Sequence, residues 1–265
     1  MIAKINIQTK LQNGITKLGN CYFSPPFKVM NITEDKKSNH LNLMLMNSSP
    51  GILDEDAFEI KIEVVENGSL QLHSQSYQRL FTMTKGAIQE MEIKCNANSS
   101  FTYLPHPSVP HKDSIFRAKN KIYLDINCKL IWGEIITCGR TLKDEVFTFS
   151  KYQNSTEIFL NHRLIIKENI VMQPSFINPS KMGQLEGFTH QASLIIIDET
   201  IDNDLFTNVV NDYLQQQTKI SFGVSTTHTN GIIIRILGYK GELLFNYLNH
   251  IAQLTKTIKS TIYAT

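Results

Sequence analysis

Glu134 is the residue whose surroundings most invite chemistry. It stands between Trp132 and Ile135-Ile136 in a run that otherwise reads as an apolar strand. A carboxylate there must be paired, protonated or turned toward a wet channel. Arg140, just past Gly139, has the geometry of a two-point partner, and structural pairing is the default expectation. A channel-lining or catalytic carboxylate is the sharper alternative. Glu145, ahead of Val146-Phe147-Thr148-Phe149, poses the same question. As a pair, Glu134 and Glu145 could serve a β-solenoid carbohydrate-active enzyme, which needs its acids about 5–10 Å apart across an open groove. The single Trp and the scarcity of aromatics near both acids argue against such a groove.

Metal ligation has weaker signals. The eight histidines are scattered, and only His106 and His111 share a segment, the proline-rich stretch from Tyr103 to His111. They could meet in space, but no carboxylate stands beside them at ligand spacing. Asp54-Glu55-Asp56 follows the turn signal Ser48-Ser49-Pro50-Gly51 and is either solvated or able to hold a cation briefly. Ser74-Gln75-Ser76 either ends a strand or lines a groove. Four cysteines, Cys21, Cys95, Cys128 and Cys138, show no Cys-x-x-Cys spacing and three lie in or beside apolar runs. They are expected as small buried hydrophobes, without a disulfide framework or a zinc site. No nucleophile elbow, phosphate loop, dinucleotide fingerprint or zinc-protease helix occurs.

The elements that must position these groups are mostly strands. An internal repeat of about 30 residues links Ile60–Leu72, Met91–Tyr103 and Lys121–Trp132. Ile62, Ile93 and Ile122 correspond, as do Val64, Cys95 and Leu124. After Asn67-Gly68, Asn98-Ser99 and Asn127-Cys128 come Leu70, Phe101 and Leu130, then Leu72, Tyr103 and Trp132. Period-two alternation around an Asn turn reads as strand, tight turn, strand. Fainter copies are expected at Ile5, Ile7 and Asn13-Gly14-Ile15, and from Ile158 to Ile166 across Asn161-His162. Such units bury a continuous core only by covering one another. The expected fold is mainly β: a β-helix-like or stacked-sheet body over about residues 1–200 of a single domain spanning 1–265. A plain antiparallel sandwich is the simpler alternative. The prolines of the Tyr103–His111 stretch fit a rigid extended crossing between strands, directly ahead of the acid-bearing strand.

About residues 201–265 are expected as helix, hairpin, helix. Asp202-Asn203-Asp204 caps a helix with Leu205, Phe206, Val209, Val210, Tyr213 and Leu214 at helical spacing. Ile220–Val224 and Ile232–Leu237 form a hairpin through Thr229-Asn230-Gly231. Gly241-Glu242 opens a long helix with a stripe of Leu243, Leu244, Tyr247, Leu248, Ile251, Leu254 and Ile258, expected to pack on the β body, with a partner-binding or dimerising helix as the alternative.

Composition narrows the class. Of 265 residues, 42% are apolar and 19% charged, and the net charge is +2 from 26 Lys and Arg against 24 Asp and Glu. No block of like charge supports nucleic-acid binding. Apolar runs such as Leu43–Met46 and Leu194–Ile197 are too short for a membrane span, and Met1–Asn6 has no apolar leader core, so a cytoplasmic protein is expected.

Several landmarks, in order, resemble the urease accessory protein family UreD, called UreH in Helicobacter. They are Phe23-Ser24-Pro25-Pro26-Phe27, Pro50-Gly51-Ile52-Leu53 up to Asp56, Ser74-Gln75-Ser76, Leu104-Pro105-His106-Pro107 with Val109-Pro110, Trp132-Gly133-Glu134-Ile135, and Gly139-Arg140 with Glu145. The match is good through Phe147-Thr148-Phe149 and weaker beyond. This chain has Pro50-Gly51 for the family's double glycine, Glu55-Asp56 for Gly-Asp, His111 for Phe and Arg79 for Lys. The resemblance implies a β-helix-like maturation factor without catalysis of its own. It further implies binding to apo-urease and, in a heteromeric complex that could be dimeric, to the accessory proteins UreF and UreG, the latter a GTPase, with nickel carried transiently and no tightly bound cofactor. It suggests Asp56, Gln75, Glu134, Arg140 and Glu145 as residues of an interior nickel path or its polar framework. A metal-independent interaction scaffold is the remaining alternative.

Overall fold

Alternation at period two makes strands, and the structure, a computed structural model, places them in two facing sheets with two helices near the C-terminal end. It describes residues 1–262, with side chains described as far as Lys256. The strands are β1 (Ile2–Gln12), β2 (Ile15–Phe23), β3 (Phe27–Asn31), β4 (Leu41–Asn47), β5 (Ala57–Val64), β6 (Ser69–Ser74), β7 (Gln78–Leu80), β8 (Ala87–Cys95) and β9 (Ser100–Tyr103). They continue as β10 (Ser108–Pro110), β11 (Ile115–Leu124), β12 (Lys129–Thr137), β13 (Lys151–Leu160), β14 (Arg163–Met172) and β15 (His190–Ile197). Then follow α1 (Asn203–Gln215), β16 (Ser221–Thr226), β17 (Gly231–Gly238) and α2 (Gly241–Ile262). One sheet runs β14-β13-β11-β8-β5-β1-β2, and the larger runs β16-β17-β15-β12-β9-β6-β4-β3 with β7 and β10 to one side.

The repeat is real, and its register is the one the sequence predicts. Ile62, Ile93 and Ile122 are neighbours in parallel ladders, and so are Leu72, Tyr103 and Trp132. The turns differ from the expectation. Asn67, Asn98 and Asn127 adopt positive φ near 58°, but each turn carries the chain from one sheet to the other instead of reversing it within a sheet. Only the end copies reverse: Asn13-Gly14 and Asn161-His162 make true hairpins, β1–β2 and β13–β14. A corner and a hairpin share the same left-handed Asn, so local chemistry does not separate them. Stacked coils of this kind agree with the mainly-β body expected.

Isoleucine fills one inner row almost by itself. Ile7, Ile62, Ile93, Ile122, Ile158 and Ile166 pair in sequence across six strands, and all are buried. Each contributes about 1.5–3 kcal/mol on burial. One residue away, on the solvent face, Lys61, Glu92, Lys121, Glu157 and Lys167 stand side by side with alternating sign. The proline segment crosses between the sheets as expected, through β10 beside β7. However, β11 intervenes before the strand of Glu134.

The C-terminal part is helix, hairpin, helix. Asp202 accepts from the N–H groups of Asp204 and Leu205 and caps α1. α2 lies on the β body, where Leu244, Leu248 and Ile251 join a second core with Leu104, Ile135, Leu194 and Ile234. A Cβ at Gly133 would come within 2.7 Å of Leu104 Cδ2 and 3.2 Å of Leu248 Cδ1, so a larger residue there would have to push those side-chain ends aside. Two residues counted in the apolar stripes, Leu205 and Leu243, are instead 45% exposed. They sit at the stripe margins; the side chain of Ile258 lies outside the described residues. Among the described residues, no helix is long and apolar enough to cross a membrane.

Phe101 is fully buried, whereas Ile88 on the solvent side of β8 is 45% exposed. Phe101→Ala should cost about 3–5 kcal/mol in urea unfolding, and Ile88→Ala should stay within about 0.5 kcal/mol. Comparable losses would mean that the stacked rows do not carry the stability.

Candidate functional site

Beside the isoleucine row, the next inner row of the smaller sheet starts apolar with Ile5, Ile60 and Met91 and then turns polar with Asn120, Thr156 and Glu168. The larger sheet carries its own polar row of Glu134, Ser193 and Arg235. The two rows meet between the sheets. Glu134 Oε1 accepts from the Thr156 hydroxyl at 2.6 Å, the Trp132 indole N–H at 2.8 Å and the Asn120 amide N–H at 3.3 Å. The Asn120 amide also reaches Asn154 Oδ1 at 2.9 Å. Farther along, Ser193 donates to Glu168 at 3.0 Å, and Arg235 pairs with the same carboxylate.

Burial pushes the Glu134 carboxyl above its ordinary value, against the hydrogen bonds from Thr156 and Trp132, and the Glu168 charge adds to the rise. Desolvation thus opposes the ionised form of Glu134, while the donors on its oxygen favour it. It borders a cavity of about 140 Å³, room for a few waters at about 30 Å³ each. The cavity wall runs from Asn120, Asn154 and Glu134 to Ser74, His106 and the exposed Gln75 and Arg79. Its lining mixes carboxylate, amide and imidazole groups with aromatic and aliphatic ones, among them Phe58, Phe116, Trp132 and Tyr152.

The remaining predicted residues fall in three places. Gln75 and His106 border the cavity with Glu134; His106 bonds Ser74 at 2.9 Å and stacks on Phe245 of α2 at 4.4 Å. Arg140 does not pair with Glu134. Its guanidinium makes a two-point pair with Glu145, with Nε to Oε2 at 2.8 Å. The reason is local: Gly139, at φ 125°, turns the chain off the end of β12, and the Glu145 N–H closes back on the Arg140 carbonyl. Arg140 holds the Glu145 carboxyl below its usual range. Glu145 does not line the Glu134 cavity, so the two acids do not share a groove. His111 is buried against Phe81 near that pair, away from the partners of His106, and burial lowers its pKa.

Asp56 stands in the third place. It is buried, and accepts from the Leu53 N–H at 2.8 Å and the Met1 ammonium at 3.0 Å. Its neighbours go elsewhere: Asp54 takes the N–H groups of Gly86 and Lys85, and Glu55 pairs with Lys85. Asp54 and Glu55 thus meet at Lys85, through its N–H and its ammonium, while Asp56 turns to Leu53 and Met1. Among the described residues, no three His, Cys, Asp or Glu side chains gather as a metal-holding group. All four cysteines are free thiols and three are buried, as expected of small hydrophobes.

Sequence reasoning missed Asn120, Asn154, Thr156, Glu168, Ser193 and Arg235. The signal for some was present: Asn120 falls in the inward series Phe116, Ala118, Ile122, Leu124, and Asn154 and Thr156 fall between Tyr152 and Ile158. A polar side chain in such a series needs a polar partner across the core.

Glutamine at position 134 would keep the accepting oxygen but could not ionise. The folded pKa of Glu134 lies above the ordinary 4.5, so as pH rises past 4.5 the unfolded chain ionises first and the native protein loses stability. Glu134→Gln should match the parent Tm well below that pH and exceed it at neutral pH. Identical melting curves across the range would contradict a desolvated carboxyl.

The family profile described as UreD urease accessory protein matches residues 1–262. The urease accessory protein UreD of Flavobacterium johnsoniae is 47% identical over 247 residues, 93% of this chain and 89% of that protein. Those of Haemophilus influenzae (strain PittGG) and Actinobacillus pleuropneumoniae serotype 3 are 34% and 33% identical, each over 97% of this chain and at least 98% of their own lengths. With the whole described chain matched and the landmarks around Glu134 set on one stacked β body, this chain belongs to the UreD urease accessory protein family.

Proposed function

We propose that this chain is a cytoplasmic maturation scaffold without turnover of its own, which binds apo-urease together with UreF and UreG and lets nickel, its cargo, pass through its interior. Membership of a urease accessory family supports a role in urease maturation. The finer reading rests on one observation: a half-buried carboxyl between the sheets, Glu134, with three donors on one oxygen, on the wall of a cavity that reaches exposed Gln75 and Arg79. An arriving divalent cation would displace the proton that burial favours, and its departure would let the proton return. A site of one carboxyl plus amide and hydroxyl groups binds weakly, which suits transfer better than storage. Phe176, Ile177 and Met182, exposed together in the loop after β14, offer apolar surface that a protein partner would cover.

The tagged chain, co-expressed with UreF, UreG and the urease subunits, should copurify with them as a complex of defined stoichiometry. Glu134→Gln should keep that complex while urease activation at limiting nickel falls to a small fraction of the parent. Activation equal to the parent would remove Glu134 from the nickel route. A folded chain that captures none of these proteins would remove the scaffold role itself.

A further inference from the structure

β16 closes one edge of the larger sheet and pairs only with β17. Its ladder runs from Ser221↔Leu237 to Thr226↔Ile232 without a register shift. In an antiparallel pair, alternate residues direct their N–H and C=O groups away from the partner. Among the described residues, no backbone hydrogen bond takes up those outward groups.

The other three edges at the ends of the two main strand orders are blunted in the usual ways, and the short side strand β7 is bridged by Ile52. β2 carries Lys17 and a bulge in its ladder. β14 carries Arg163, Lys167 and Glu168 with a bulge, and β3 is five residues long with Lys28. β16 has no charge, no proline and no bulge.

Its residue order reads alike in both directions about Gly223: Ser221 and Phe222 on one side, Val224 and Ser225 on the other. An antiparallel two-fold centred on Gly223 would set Phe222 opposite Val224 of a second copy, and Ser221 opposite Ser225. Aromatic with β-branched and hydroxyl with hydroxyl are favourable cross-strand pairs. Nothing within the chain requires glycine there: a Cβ at Gly223 meets no atom within 4 Å, and its φ is not left-handed. Glycine inside a strand often marks the close approach of another backbone.

We infer that β16 is a self-recognition edge. Two copies of this chain pair β16 to β16 about a two-fold axis at Gly223, joining their larger sheets into one. The contact is isologous, so it closes at two copies. A six-residue edge buries little surface, and the dimer forms in a concentration-dependent way. This inference stands apart from the nickel reading and from any partner protein.

Gly223→Cys in the full chain places two thiols across the axis, within the roughly 4.4–6.8 Å Cα separation a disulfide needs. The native cysteines are buried or half-buried and give the background in the parent chain. Mild oxidation should yield a crosslinked dimer on a non-reducing gel. Adding S221K with S225K sets lysine opposite lysine at both ends and should cut the yield about tenfold, whereas S221K with S225E sets opposite charges together and should restore it. Sedimentation velocity of the same charge variants, without the new cysteine, should show dimer rising with concentration except in the double-lysine chain. Crosslinking equal in all three backgrounds, a monomer at every concentration, or a crosslink to a protein of another mass would each overturn self-pairing.

Discussion

A coil in this protein can bury its inner side chains only against the coils before and after it, and that constraint governs everything else. Parallel pairing in register forces equivalent positions into rows across the sheet. An inner row is then filled by one kind of side chain along its length, as the isoleucines from Ile7 to Ile166 are. It also means that a polar residue cannot enter the interior alone. Asn120 brings Thr156 and Glu168 beside it, and the facing sheet supplies Glu134 and Ser193 at the same depth. The polar layer is thus a product of register, not of one unusual residue.

β12 is where the two halves of the molecule depend on each other. It pairs in parallel with β9 and antiparallel with β15, so the coil stack ends and the meander begins on one strand. Its inward face carries Trp132 and Glu134; its outward face, opened by Gly133, receives α2. β15 is buried on both sides for the same reason, with Ile195 and Ile197 in the first core and Leu194 and Ile196 in the second. The unbroken apolar run Leu194–Ile197 follows from that double burial. Packing of α2 on β12 therefore bears on the geometry of Glu134, one residue from the glycine that admits it.

Strand pairing was legible because alternation and the Asn turns recur at fixed spacing, and every correspondence drawn between the three full repeats is a ladder neighbour. The sense of each turn was not, since Asn67 and Asn13 share a left-handed φ, 58° and 53°, yet one crosses between sheets and the other folds back. Glu134 stood out because a charge in an apolar run is costly. Of its partners only Trp132 is near in sequence; Asn120 and Thr156, from β11 and β13, did not stand out. Arg140 was drawn toward Glu134 by nearness in sequence, and a single glycine between them sends it to Glu145.

The solvent face keeps its own count of the coils. Lys61, Glu92, Lys121, Glu157 and Lys167 alternate in sign from strand to strand. Loss of the β8 coil would set Lys61 against Lys121, and loss of the β11 coil would set Glu92 against Glu157. Loss of both would bring Lys61 beside Glu157 and restore the alternation. Like charges directly opposite one another oppose pairing, so a chain of this design changes length most readily by two coils at a time, and its surface records the parity of its stack.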